Sequence, residues 1–210
     1  MVTSVPNILT FSRIGLIPLL VALFWLPGEG ARWAALAIFI LAGITDYLDG
    51  YLARAWREQS QLGALLDPIA DKLLVSTTLF LLAAFDRIGG LTLLPAILIL
   101  CREILVSGLR EFLAGIEVRV PVSTLAKWKT TIQMIAIGFL IVGDAGDVIV
   151  PHTTEIGIVG LWAAAVLTLV TGYDYLRLGF RHLDAGAPPA PPKPKSSAKR
   201  PVNGAKAANS

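Results

Sequence analysis

An all-α integral membrane bundle of six transmembrane helices is the fold class predicted by this 210-residue sequence. Three observations predict it. Apolar residues make up 55% of the chain and charged residues only 16%, with a mean hydropathy of +0.69. That balance is too apolar for an ordinary soluble domain and excludes disorder along the whole chain. The apolar residues gather into six stretches of about 20, the length a helix needs to cross a bilayer. Basic residues concentrate at alternate connections, as they do at the cytoplasmic side of membrane proteins.

The six spans are expected at 8–26, 32–53, 69–86, 91–112, 125–143 and 156–179. The first, ILTFSRIGLIPLLVALFWL, does not read as a signal peptide. It has no basic residue before the apolar run, Arg13 lies inside it, and no clear small-x-small site follows. The sixth is the most uniformly apolar. With the N-terminus in the cytoplasm, the outer connections fall at 27–31, 86–90 and 144–155. Only Arg32 and Arg87 then lie near the outer side, and 16 of the 18 basic residues lie inward. Both termini are therefore expected at the cytoplasmic face of the cell's inner membrane. Trp25, Trp33, Trp56 and Trp128 fall near span ends and fit an interfacial aromatic belt.

Residues 1–184 form the expected six-helix membrane domain, and 185–210 a disordered cytoplasmic tail. The tail holds six of the 13 prolines, together with Lys193, Lys195, Lys199, Arg200 and Lys206, and no acid. Without it the chain carries 13 basic and 15 acidic residues, so the high pI belongs to the tail and no nucleic-acid partner is implied. The single Cys101 excludes an internal disulfide and is expected to be a packed helix residue. Gly138 and Gly143 are candidates for close helix packing.

The chemistry concentrates in residues 45–72, TDYLDGYLARAWREQSQLGALLDPIADK. Asp46, Asp49, Gly50 and Ala53 follow i, i+3, i+4, i+7 and share a helix face at the inner end of the second span. Asp67 and Asp71 share a face at the start of the third, with Asp67 expected as N-cap and Pro68 at the first helical position. A short connection would let the two helices pack antiparallel and bring the four carboxylates together. Ionised carboxylates at this depth are costly, and four of them repel. A divalent cation removes that cost. Oxygen-only ligands suit magnesium, calcium or manganese and argue against zinc or copper. Four carboxylates suffice for a metal pair.

The pattern D46-x2-D49-G50-x2-A53-R54-x8-G63-x3-D67-x3-D71 fixes eight positions over 26 residues. It resembles, without a departure, the signature of the CDP-alcohol phosphotransferases. PNILTFSRI (6–14), DPIADK (67–72), CREILVSGLREF (101–112) and LAKWKTTIQM (125–134) are similar to the branch that uses glycerol 3-phosphate as acceptor. The resemblance covers about 5–182 and leaves out the tail. It implies a homodimeric membrane enzyme that converts CDP-diacylglycerol and glycerol 3-phosphate to phosphatidylglycerophosphate and CMP. It implies a magnesium or manganese pair on Asp46, Asp49, Asp67 and Asp71, with Asp71 also the general base. It implies contacts to CDP-diacylglycerol from Gly50, Arg54 and Ser60, with Asp49, Ala53 and Gly63 in the same site and Asn7 and Thr10 approaching the nucleotide.

Independent chemistry fits these roles. Gly50 and Ala53 leave room for a bulky head group, and Arg54 can fork onto phosphate oxygens. Arg102, Arg110, Lys127 and Lys129 are the candidates for the acceptor's phosphate. Arg102 and Arg110 lie eight apart on one face, while Lys127 and Lys129 do not share one, so at most one of that pair points inward. Positive-inside placement and pairing with Glu103 or Glu111 are the plain alternatives. The basic cluster favours a phosphorylated acceptor over serine, and the choice of glycerol phosphate over inositol phosphate rests on the resemblance. An intramembrane prenyltransferase would need more helices and a second Asp motif. A divalent-cation transporter would need polar residues across the outer half of the bundle, which is almost wholly apolar.

Overall fold

The computed structural model describes residues 5–56, 61–115 and 124–184. Six helices account for most of them: α1 (Val5–Trp25), α2 (Glu29–Trp56), α3 (Gln61–Ala84), α4 (Leu93–Gly115), α5 (Thr124–Val142) and α6 (Thr153–Asp184). Among the described residues there are no strands. Short 3-10 turns precede α4 at Gly90–Thr92 and follow α5 at Gly143–Gly146. The helix breaks fall at the three outer connections read from the sequence. Gly90–Leu113 and Thr153–Arg177 are long and apolar enough to cross a membrane by length and composition.

Leu20, Phe39, Leu74, Leu82, Ile99, Ile137, Leu140 and Leu161 build one apolar core from all six helices. Many large apolar side chains instead face outward, among them Phe80, Ile104, Val148 and Val159. That much exposed apolar surface would drive aggregation in water. The α5–α6 seam is the closest: a Cβ on Gly157 would stand 2.8 Å from Leu140, and one on Gly160 2.9 Å from Ala136. Small residues three apart let the two backbones approach.

Three expectations need correction. Asp67 is not an N-cap, because α3 begins at Gln61 and Pro68 lies inside the helix. The run QLGALL extends the helix backward, and an interior proline is tolerated where surrounding structure satisfies the backbone it frees. Secondly, among the described residues α2 and α3 meet only along a short stretch, while α1 packs extensively against both. The first span carries apolar residues all round and can serve two neighbours. Thirdly, Cys101 is exposed rather than packed. Of the two glycines, Gly138 faces α2, where a Cβ would stand 3.2 Å from Leu36, and Gly143 lies buried just after α5 at φ +57°, where a Cβ would meet Arg32 of α2 and Thr154 of α6.

At the end of the bundle away from the aspartates, two arginines close α5. Arg87 donates to the carbonyl of Ile141, and Arg32 donates to Val142 at 3.4 Å and pairs with Asp144 at 3.2 Å. Backbone hydrogen bonding, then Arg32, holds Asp144 below the usual carboxylate range. Burial, then repulsion from Arg32, lowers Arg87. A guanidinium stays charged nonetheless.

Candidate active site

α2 carries Asp46 towards its C-terminal end, and α3 carries Asp71 in its third turn. Both line one cavity of about 740 Å³. The remaining walls come mostly from α2 and α5: Phe39, Ile40, Gly43 and Ile44 on one side, and Thr130, Thr131, Met134, Ile135 and Gly138 on the other. The cavity runs from the two carboxylates to Trp33, Val150 and Thr153 at the opposite end, and it is apolar apart from its ends and the two threonines. Helical periodicity makes this possible, since Phe39, Gly43 and Asp46 lie on one face of α2.

Asp46 is held from below. Arg13 of α1 is completely buried and places Nη1 2.7 Å from Asp46 Oδ1. Thr10, three residues earlier and on the same face of α1, is also buried. The Asp46 side chain is 47% exposed, so it retains an open side towards the cavity. Lys72, next to Asp71, donates to Ser107 of α4, and Ser107 donates to Glu111 at 3.4 Å. Among the described residues no three acidic, His or Cys side chains cluster as a metal site. The side chains of Asn7, Asp49, Ala53, Arg54, Asp67 and Lys127 and the surroundings of Gly50 are not described, and Ser60 lies outside the described residues. Gly63 is described and buried on α3.

Of the basic candidates, Arg102 and Arg110 gather against α6. Lys129 is buried on α5 and pairs with Glu103 of α4. Arg102 Nη1 lies 3.9 Å from Glu103 Oε2, and its Nη2 donates to Thr171 Oγ1 at 3.0 Å. Arg110 donates to the Tyr175 hydroxyl at 3.2 Å. Both guanidinium groups lie over the Tyr175 ring, at 5.8 and 5.5 Å from its centroid. The eight-residue spacing of Arg102 and Arg110 thus does place them on one face, and Lys129 is an inward-pointing lysine.

Sequence reasoning did not single out Arg13, Glu103, Thr171 and Tyr175 as site residues. Arg13 could have been found, since a cation inside an apolar span demands a partner. Tyr175 carried no local signal, because its place depends on how α6 meets α4.

The description CDP-alcohol phosphatidyltransferase belongs to a family model that matches residues 3–170. Three relatives carry the name CDP-diacylglycerol–glycerol-3-phosphate 3-phosphatidyltransferase. The one from Rickettsia bellii is 45% identical over 174 residues, 83% of this chain and 94% of its own. The Rickettsia typhi protein is 46% identical, over 83% of this chain and 96% of its own. The Haemophilus influenzae protein is 40% identical, over 83% and 92%. With a family model matched over most of the chain, an all-helical fold among the described residues and similarity along nearly the whole of these relatives, the chain belongs to the CDP-alcohol phosphatidyltransferase family.

Proposed function

We propose that this protein transfers the phosphatidyl group of CDP-diacylglycerol to glycerol 3-phosphate, giving phosphatidylglycerophosphate and CMP. The names of relatives at 40–46% identity describe that reaction. The observation that carries the reading is the pairing of Asp46 and Asp71 with one end of a long apolar cavity. Such a shape suits a ligand with a polar reacting head and an acyl tail.

Asp46, Asp49, Asp67 and Asp71 would hold a pair of divalent metals, magnesium or manganese. The fit rests on hard oxygen donors and on the open side of Asp46. Bound there, the metals would neutralise the pyrophosphate and stabilise departing CMP. Gly50 and Ala53 leave space for the nucleotide, with Asn7, Thr10, Ser60 and Gly63 around it, and Arg54 grips a phosphate. Arg102, Arg110, Lys127 and Lys129 receive the phosphate of the acceptor. Asp71 takes the proton of the acceptor hydroxyl as its oxygen bonds to the lipid-side phosphorus. The bond from that phosphorus to the bridging oxygen breaks, and the electron pair leaves with CMP.

The apolar helices and the family suggest a membrane protein. We place all six helices across the inner membrane, with both termini and the aspartates at the cytoplasmic face. Residues 1–184 act as the catalytic domain of a homodimer, and 185–210 as a cytoplasmic tail.

The test is CMP release by purified protein in detergent, with CDP-diacylglycerol, magnesium or manganese, and one acceptor at a time. Release driven by glycerol 3-phosphate alone, and stopped by a chelator, is the expected result. Release driven by inositol phosphate or serine would move the protein to another branch. No release from folded protein would reopen the transporter and prenyltransferase readings.

A further inference from the structure

Lys129 poses a physical problem. Its side chain is 2% exposed, deep between helices, where an ammonium without a counter-ion is strongly disfavoured. Among the described residues its ion-pair partner is Glu103 of α4. Glu103 is itself 28% exposed, so the pair is dry on the lysine side and open on the carboxylate side. The other oxygen of Glu103 lies 3.9 Å from Arg102 Nη1. Arg102 is braced independently by Thr171, by the Tyr175 ring and by close approach to Gly172, where a Cβ would stand 3.1 Å from Arg102 Cγ. One carboxylate thus fixes two cations from two helices, and α6 supports one of them from behind.

We propose that Glu103 is the positioning residue of the acceptor site: its carboxylate keeps the Lys129 ammonium, beside Arg102, as a preformed seat for the acceptor's phosphate. The proposal rests on the reading above that Lys129 and Arg102 receive that phosphate. A lysine has a flexible four-carbon stem and loses much rotamer freedom when it is fixed. Glu103 imposes that order before the substrate arrives. The two cations and one carboxylate keep a net positive charge, and an incoming phosphate carries about −1.5 to −2. The seat therefore attracts phosphate without requiring Glu103 to leave. Glu103 touches neither reacting atom; it acts through Lys129.

The experiment compares wild type, Glu103→Gln, Glu103→Asp, Lys129→Met and the double variant Glu103→Gln/Lys129→Met. It measures KM for each substrate, kcat and melting temperature in the same detergent. Glu103→Gln should raise KM for glycerol 3-phosphate about tenfold, the scale of one lost charge-assisted contact. KM for CDP-diacylglycerol should stay within about twofold, as for an interaction confined to one substrate. Glu103→Asp, which keeps the charge but shortens the reach, should fall between. Lys129→Met should raise the same KM, and the double variant should be no worse than Lys129→Met alone, because coupled residues are not additive.

An unchanged acceptor KM in Glu103→Gln, with Lys129→Met raised, would overturn the proposal and leave the acceptor reading standing. Additive effects in the double variant would also overturn it. If Lys129→Met leaves the acceptor KM untouched, the acceptor reading itself fails and the proposal with it. Should Glu103→Gln not fold, Glu103→Asp decides: a wild-type KM there rejects the role of Glu103.

Discussion

Arg13 of α1, with no exposed surface, holds Asp46 of α2 through an Nη1–Oδ1 contact of 2.7 Å. One oxygen of the first signature aspartate is thereby engaged by protein, while the half-exposed side chain keeps an open side on the cavity. The pair joins two helices, and α1 also packs against α3, which carries Asp71. Breaking such a pair by removing one partner costs about 3–5 kcal/mol when the charge left behind is buried. Asp46 is half exposed, so the penalty should fall below that range. Arg13→Met is expected to lower the melting temperature and to reduce CMP release at least about tenfold, on the precedent that misplacing a group at a reacting centre is costly. Arg13→Lys should recover stability better than activity, since a point charge replaces a fork. Wild-type turnover in a well-folded Arg13→Met protein would remove this contact from the working site.

Asp71 lines the same cavity as Asp46 and sits beside Lys72, which is tied to Ser107 of α4. Asp71→Asn preserves size and removes the proton acceptor. Turnover should fall about 10²–10⁴-fold, the usual contribution of a general base. On the proposed assignment, binding of CDP-diacylglycerol should change little, because Asp46, Asp49 and Arg54 remain. Equilibrium binding and single-turnover CMP release separate the two effects. Full activity in this variant would take Asp71 out of the mechanism.

Much of this was legible in the sequence because long apolar helices obey strong rules. Apolar runs and Gly or Pro at 27–30 and 89–90 mark where α1, α3 and their successors break. The spacing of Asp46 and Asp49, and of Asp67 and Asp71, is local information and needs only helical periodicity. Pro68 misled, because its preference for a first helical turn is weaker than the helix-forming run before it. The packing of α1 against both α2 and α3 was not legible, since it depends on which apolar faces fit one another. The partnership of Glu103 with Lys129 was hidden for the same reason: 26 residues separate them, and the packing of α4 and of α5 against α6 brings them together.

Residues 185–210 lie beyond α6, which ends at Asp184, and beyond the family match, which ends at residue 170. They are rich in proline, alanine and lysine and poor in large apolar residues. A chain truncated after Asp184 should keep kcat and both KM values within about twofold, as expected for a segment making no contact with substrate. Its binding to vesicles rich in anionic lipid should weaken, because five basic residues are lost. A collapse of turnover in folded, truncated protein would place the tail within the catalytic unit.

Arg87 should matter for stability and not for catalysis. It donates to the carbonyl of Ile141 at the end of α5 and lies 5.2 Å over the ring of Phe24, which meets Phe85 at 5.6 Å. The last carbonyls of a helix lack internal partners, and Gly143, at φ +57°, turns the chain away before α5 can supply them. Arg87→Met should therefore cost about 1–3 kcal/mol, the penalty for a carbonyl left unpaired. Asp144→Asn should cost far less, about 0–1 kcal/mol, because the Arg32–Asp144 pair is largely solvated. The sign of its pH dependence follows from the lowered pKa of Asp144. Its contribution is present at neutral pH and is lost as pH falls through that lowered value. Melting curves of both variants at neutral and acid pH check this. The stability gap between Asp144→Asn and wild type should close in acid, while the Arg87→Met gap should persist, because a guanidinium does not titrate there. CMP release at neutral pH should match wild type in both, since these residues stand at the far end of the bundle from Asp46. A loss of activity without a loss of stability in Arg87→Met would mean that the closed end of α5 is coupled to the aspartates.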